Sequence, residues 1–286
     1  MYRRDIKFAP LQHHDIAAAA ALARTKHWNQ TEQDWAVILQ HSKSGSFGAF
    51  FGSTLIGTVT SLAYGDSLAW IGMMLVRADH RSRGIGRDLM RMVLDHCRAS
   101  GIQSAKLDAT RAGEALYASL GFNAELTIER WSTLVAAASG GEASCPIGDE
   151  MHRAIVSFDQ AAFGVCRKGL LDSLLKNRCC EPVTALDTSQ APRGYGLARR
   201  GAAAFYLGPI AACSESVAVQ ILDSLIARLP SASVCVDYIV HAHSTPLALA
   251  ERGFKLQRAL SRMSYGKPHC AGTSRLLFAS AGPEFG

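Results

Sequence analysis

The 286-residue chain is 48% hydrophobic and 19% charged, long enough for two domains and too apolar for global disorder. Its 30 Lys and Arg against 24 Asp and Glu leave a formal charge of +6, a balance that suits polyanions. It has no run of five or more basic residues and no basic stretch interleaved with aromatics, so no nucleic-acid partner is expected.

Arg3-Arg4 and the alanines of 17–21 imitate a signal peptide, but Gln12-His13-His14-Asp15 interrupts it. No stretch reaches the ~18 apolar residues of a membrane span, so no membrane partner and a cytoplasmic location are expected. Residues 6–10 read as a strand. Asp15 is expected to cap a helix over 16–26, and a second helix begins near Asn29 or Thr31, each followed three residues later by an acidic residue. Trp28-Asn29-Gln30 between them is either a buried anchor with caps or a substrate-facing lip. Strands over 48–51, 55–63 and 68–76 form an antiparallel meander, with turns at Gly52-Ser53-Thr54 and Tyr64-Gly65-Asp66.

The meander delivers the chain to Arg81-Ser82-Arg83-Gly84-Ile85-Gly86-Arg87. Glycines permit positive φ and leave no Cβ in the way, so successive N–H groups can converge on one anion. The following helix adds free first-turn donors and the positive end of its dipole. Ile85, Leu89, Met92, Val93 and Cys97 share one face of that helix, and Gly101 ends it. This is neither a dinucleotide fingerprint nor a P-loop, because GxGxxG and a closing Gly-Lys-Ser/Thr are both absent. A strand over 105–109, a short helix over 111–120 carrying Tyr117, and Gly121-Phe122 opening another strand complete the unit.

With RSRGIG and LYASLGF at this spacing, residues 71–122 resemble the GNAT superfamily of N-acetyltransferases. The resemblance implies a mixed sheet splayed into a V, with acetyl-CoA as co-substrate in the V. Main-chain groups of Met74, Leu75 and Val76 would face pantetheine, and Arg81, Ser82, Arg83, Gly84, Ile85, Gly86 and Arg87 the pyrophosphate. Tyr117 would be the general acid for the leaving thiolate; its alternative is a core aromatic. Thr110 stands where the superfamily often has Asn. No carboxylate falls on the central strand, where Met73 and Met74 stand. Asp108 is the nearest by sequence logic, either toward the substrate or structural, and the base is left unassigned, with ordered water an option.

Residues 136–146 are small, Gly/Ser-rich and aperiodic, the linker of the chain. Beyond it the order repeats: a helix over 157–176, strands over 194–199 and 202–210, a helix over 212–229, a strand over 234–240 and a helix over 245–252 before Gly253-Phe254. Leu107-Asp108 aligns with Val236-Asp237 and Gly121-Phe122 with Gly253-Phe254. The second copy has Pro209 to Cys213 in place of the Arg/Gly loop and Leu249 in place of Tyr117, so it is not expected to bind coenzyme A in the same way. Asp159-x-x-Ala162-Phe163-Gly164-x-x-Arg167, Gly194-Tyr195, Gly208-Pro209 and Ala281-Gly282-Pro283-Glu284 are similar to the YitH/HsdE-like acetyltransferases, a GNAT domain joined to a degenerate one. Asp159, Arg167 and Arg199 are candidates for substrate contact; the alternative is helix capping and ion pairs.

None of the eight cysteines forms a CxxC pair, and several lie in apolar runs, the pattern of packed free thiols. His13-His14 and His241-x-His243 lack metal-ligand companions, so no metal is expected. The expectation is an α+β fold of two GNAT-like domains in tandem, each a twisted mixed sheet flanked by helices: a catalytic domain over 1–135, a linker over 136–147 and a degenerate domain over 148–286. The expected function is direct acetyl transfer to the amine of a small molecule, with Trp28, Asn29, Asp108, Asp159 and Arg167 facing it. The alternatives are a coenzyme A sensor without turnover and a peptide or protein acetylase. The sequence leaves the oligomeric state open.

Overall fold

The computed structural model describes residues 5–136, 148–241, 247–267 and 272–286. Residues 137–147 of the expected 136–147 linker, with Cys145, and His243, Thr245 and Cys270 lie outside the described residues.

In the first half, β1 (Ile6–Pro10) leads into α1 (Ile16–Arg24) and α2 (Glu32–His41). Thr31 and Asp34 close a reciprocal capping box on α2. Asp15 does not cap α1 through its side chain: its carboxylate accepts instead from the Gln12 N–H at 2.8 Å. The meander is β2 (Phe47–Phe51), β3 (Thr54–Tyr64) and β4 (Leu68–Val76), followed by α3 (Ile85–Ala99), β5 (Ser104–Ala109), α4 (Arg111–Ala118) and the long β6 (Asn123–Val135).

The second half holds α5 (Asp149–Phe163), α6 (Lys168–Lys176), β7 (Val183–Leu186), β8 (Pro192–Arg199), β9 (Phe205–Ala212), α7 (Glu215–Ile226), β10 (Ala232–Ile239), α8 (Leu247–Glu251), β11 (Lys255–Gly266) and β12 (Leu277–Ala279). The single helix expected over 157–176 is two helices. Gly164 takes a left-handed φ of +96° and ends α5, and the turn brings Arg167 back onto Asp159. The expected helix over 212–229 starts later because β9 runs through Ala212, and the Ser214 hydroxyl caps α7 by accepting from the Val217 N–H. Among the described cysteines all are free, but Cys166 and Cys213 are exposed rather than packed.

All twelve strands join one sheet in the order β1-β2-β3-β4-β5-β11-β6-β10-β12-β9-β8-β7. The halves exchange their last long strands. β11 of the second half pairs with β5 of the first, β6 of the first pairs with β10 of the second, and β6 and β11 pair with each other. Arg262 on β11 lies opposite Asp108 on β5, and Arg130 on β6 lies opposite Asp237 on β10. Both guanidinium groups are bidentate to buried carboxylates. Arg130 follows Phe122 by the same interval as Arg262 follows Phe254, so the two pairs are copies of one contact made in opposite directions.

Three apolar clusters seal the sheet: the α3 face with Ile85, Leu89 and Val93, the α7 face with Ile221, Leu222 and Leu225, and an opposite face shared by Trp35 and Ile38 of α2 with Leu171 and Leu174 of α6. No described helix is long and apolar enough to cross a membrane.

Burial opposes ionisation of Asp237, and Arg130 overcomes it, holding the carboxyl below its ordinary 3.8. A depressed carboxylate contributes stability above its unfolded pKa and loses it as pH falls through the folded one. Arg130→Ala is expected to lower urea-unfolding stability by about 3–5 kcal/mol at neutral pH, because it strands a buried charge. The double variant Arg130→Met/Asp237→Leu is expected to recover most of that loss.

Candidate active site

β4 and β5 run parallel over three pairs, from Leu68 opposite Ser104 to Trp70 opposite Lys106, and then part. Just past the split β4 carries an extra residue: Leu75 faces Thr58, but Gly72 faces Thr60. Met73 at this bulge has φ +48°, and its carbonyl accepts from the buried Thr58 hydroxyl at 2.6 Å. The bulge and the split open a cleft between β4, α3, β5 and α4.

On the α3 side, Ser82 and Gly84 take positive φ, +59° and +81°, and Gly84 is the N-cap of α3. Asp88 is the first to donate to a carbonyl of its own turn, Gly84 O at 3.0 Å, which leaves the amides of Ile85, Gly86 and Arg87 ahead of it for an anion. A Cβ on Gly86 would stand 2.7 Å from the Met74 methyl, so a larger residue would push that side chain aside. The arginine side chains brace the loop. Arg81 Nε donates to Val76 O, Arg83 Nη2 to Asp79 O and Arg87 Nη2 to Ser119 Oγ. Arg81 and Arg87 line the groove with Leu75, Val76, Ser82, Gly84, Ile85 and Gly86; Arg83 does not.

The groove of about 450 Å³ meets a smaller cavity of about 60 Å³ at four shared residues: Trp28, Met74, Thr110 and Tyr117. Tyr117 is 8% exposed, and burial pushes its phenol above the ordinary value of 10. Neither its hydroxyl nor that of Thr110 has a hydrogen-bond partner among the described residues, so both polar ends stand unused where groove and cavity join. The cavity wall also includes Gln30, Gly72, Leu107, Asp108, Arg258, Leu260 and Pro283.

Of the acceptor-facing residues expected from sequence, Trp28 and Asp108 line this cavity. Asp108 is already engaged, both oxygens accepting from Arg262 at 2.8 and 2.9 Å. Asn29 does not reach the site. Its amide clamps the loop before β9, accepting from Ala203 N and Ala204 N and donating to Ala204 O. Asp159 and Arg167 are likewise not at the cavity: they form a fully buried bidentate pair, with the Tyr195 hydroxyl donating to Asp159 and Arg167 donating to Gly286 O. Arg199 is buried against Asp34, Glu284 and the Ala281 carbonyl. Gln30 lines the cavity beside Trp28, as the lip alternative had it, whereas Arg258, Leu260 and Pro283 were not among the expected site residues. The last three come from the second half, and no local signal marks them, because the strand that brings Arg258 and Leu260 crosses over.

Residues 13–122 match the Acetyltransferase (GNAT) family and residues 155–279 an Acetyltransferase (GNAT) domain. The chain is a tandem GNAT acyltransferase. It is 26% identical to the uncharacterized N-acetyltransferase YitH of Bacillus subtilis over 214 residues, 68% of this chain and 69% of that one. A putative acetyltransferase of Pyrococcus horikoshii shares the fold with TM-score 0.79 at 20% identity, covering 100% of this chain and 98% of its own. A GCN5-related N-acetyltransferase of Sphaerobacter thermophilus does so with TM-score 0.68 at 11% identity, covering 96% and 100%.

The second GNAT half repeats the split. β9 and β10 run parallel only through Val234 opposite Phe205 and Cys235 opposite Tyr206. There β12 fills the gap, pairing with β9 on one side and β10 on the other. Among the described residues of this tandem GNAT protein, the second half keeps only a small apolar pocket of about 40 Å³ lined by Val236, Leu249 and Phe278, against the groove of about 450 Å³ in the first.

Gly84→Ala and Gly101→Ala both put a Cβ on a left-handed residue, at φ +81° and +78°. Each is expected to lower unfolding stability by about 1–2 kcal/mol. Only Gly84→Ala is expected to weaken binding of coenzyme A as well, measured by calorimetry against Gly101→Ala.

Proposed function

We propose that this GNAT protein transfers an acetyl group from acetyl-CoA to the amine of a small molecule, the two meeting at Tyr117. The observation that carries the reading is the junction itself: a glycine-opened groove and a small cavity share the two free hydroxyls of Thr110 and Tyr117. The residues fit the cofactor. The free amides of Ile85, Gly86 and Arg87 suit a pyrophosphate, and the bulged edge of β4 at Met74, Leu75 and Val76 suits an amide-bearing arm.

Acetyl-CoA supplies an activated thioester and a thiolate leaving group. The work left to the chain is orientation and proton placement. Tyr117 keeps its proton on Oη well beyond neutral pH, because burial disfavours the phenolate. It can therefore hand that proton to a departing thiolate. Both Asp108 oxygens accept from Arg262, so no side chain is assigned as the base for the amine. The size of the cavity, about 60 Å³, favours a small acceptor over a peptide chain.

The test is thiol release with acetyl-CoA and a broad amine panel. Amine-dependent release is expected, and Tyr117→Phe is expected to lower kcat about 100-fold or more with coenzyme A affinity little changed. Tight coenzyme A binding with no turnover on any amine would instead mark a sensor.

The pH profile gives a separate check. kcat/KM is expected to rise as the amine loses its proton and to show no falling limb up to about pH 10, because the Tyr117 proton is held above its ordinary value. A descending limb below pH 10 that disappears in Tyr117→Phe would contradict the buried acid.

A further inference from the structure

The acceptor cavity holds a guanidinium with no counter-ion. Three buried arginines of the surrounding layer each have a carboxylate: Arg130 has Asp237, Arg262 has Asp108, and Arg199 has Asp34 and Glu284. Arg258 lines the cavity and has neither a hydrogen bond nor an ion pair among the described residues, and its Nε is buried without a partner. It sits directly opposite Arg130 in the β6–β11 register, so like charge faces it across the ladder. Asp237 and Glu284 lie in its field, but each is bound by another arginine. A partly desolvated cation in this state destabilises the empty fold and is relieved when a ligand brings an anion.

Nothing in the strand pattern demands arginine here. Arg258 precedes Arg262 by four residues, and the residue four before Arg130 in the first copy is Leu126, which packs into the core. The guanidinium also lines the small cavity and not the larger groove, so it stands apart from the amides suited to pyrophosphate.

Gln30 adds the complementary half. Its Nε2 donates to Glu284 Oε2 at 2.6 Å, which orients the amide and leaves Oε1 as a buried acceptor without a donor. Gln30 lines the same cavity as Arg258.

We infer that the acceptor is a small amino-carboxylate, its carboxylate held by Arg258 and an N–H of the same molecule by Gln30 Oε1. This rests on the acetyl-transfer reading above. A planar guanidinium can take both carboxylate oxygens at once, which fixes the orientation of a molecule in a cavity of about 60 Å³. Orientation then presents one end of the acceptor to Thr110 and Tyr117.

The test compares amino acids with their decarboxylated amines as acceptors for acetyl-CoA, in the wild type and in Arg258→Leu and Arg258→Lys. Wild-type kcat/KM is expected to favour the carboxylate-bearing member of at least one pair. In Arg258→Leu that preference is expected to fall about 30-fold or more, chiefly through KM, and Arg258→Lys should restore part of it. Coenzyme A affinity reports whether each variant is folded. Equal turnover of amino acids and their decarboxylated amines, with a ratio insensitive to Arg258, would overturn the carboxylate site and leave acetyl transfer standing. Absence of turnover, with amino acids raising the Tm of the coenzyme A-saturated wild type but not of Arg258→Leu, would overturn transfer and leave the site standing. Neither turnover nor a Tm shift would overturn both.

Discussion

Two buried aspartate–arginine pairs, made in opposite directions, hold this molecule in one piece. Asp108 of the first half is bound by Arg262 of the second, and Asp237 of the second by Arg130 of the first. Each carboxylate stands on the strand at the split of its own half, and each arginine arrives on the strand exchanged from the other. A buried ion pair contributes little net stability against an apolar alternative, but a mismatched register would leave four buried charges without partners. The pairs thus act as register marks: a slip of one residue would turn the arginines to the opposite face of the sheet.

Exchange has a consequence for the open cleft. With β11 beside β5, one wall of the first half's small cavity is built from Arg258 and Leu260 of the second. The segment after β12 completes it. Trp70 Nε1 donates to Pro283 O, Tyr64 Oη to Phe285 O, and a Cβ on Gly72 would stand 3.0 Å from Glu284 Cα. Gly72 is therefore needed for close backbone approach. The same C-terminal stretch places β12 between β9 and β10 and then walls the first cleft, so residues 277–286 shape both halves.

The division of labour at the junction follows from burial. Backbone amides, which need no ionisation, face the groove where an anion is expected, and the arginines of the loop are tied to carbonyls and Ser119 instead. Tyr117 keeps its proton because desolvation disfavours the phenolate. Asp108, which the sequence marked as the nearest carboxylate to the amine, is bound by Arg262 through both oxygens.

Local pattern was enough to determine the meander, the amphipathic α3, the glycine cradle at Gly84 and Gly86, and the Tyr117 helix ending at Gly121-Phe122. Each depends on residue period, turn chemistry or capping within a few positions. The tandem repeat was readable for the same reason, since both copies kept their Gly-Phe and Asp landmarks. Pairing across more than a hundred residues was decided by the tertiary structure. Nothing local distinguishes a β11 that returns to its own half from one that crosses to β5, because its alternation suits either edge. Crossing over consumed Asp108 and brought Arg258 to the cavity, while the turn at Gly164 sealed Arg167 against Asp159 and the loop before β9 took up Asn29. Those fates depend on which buried charge meets which, and that is set when strands from distant parts of the chain share one sheet.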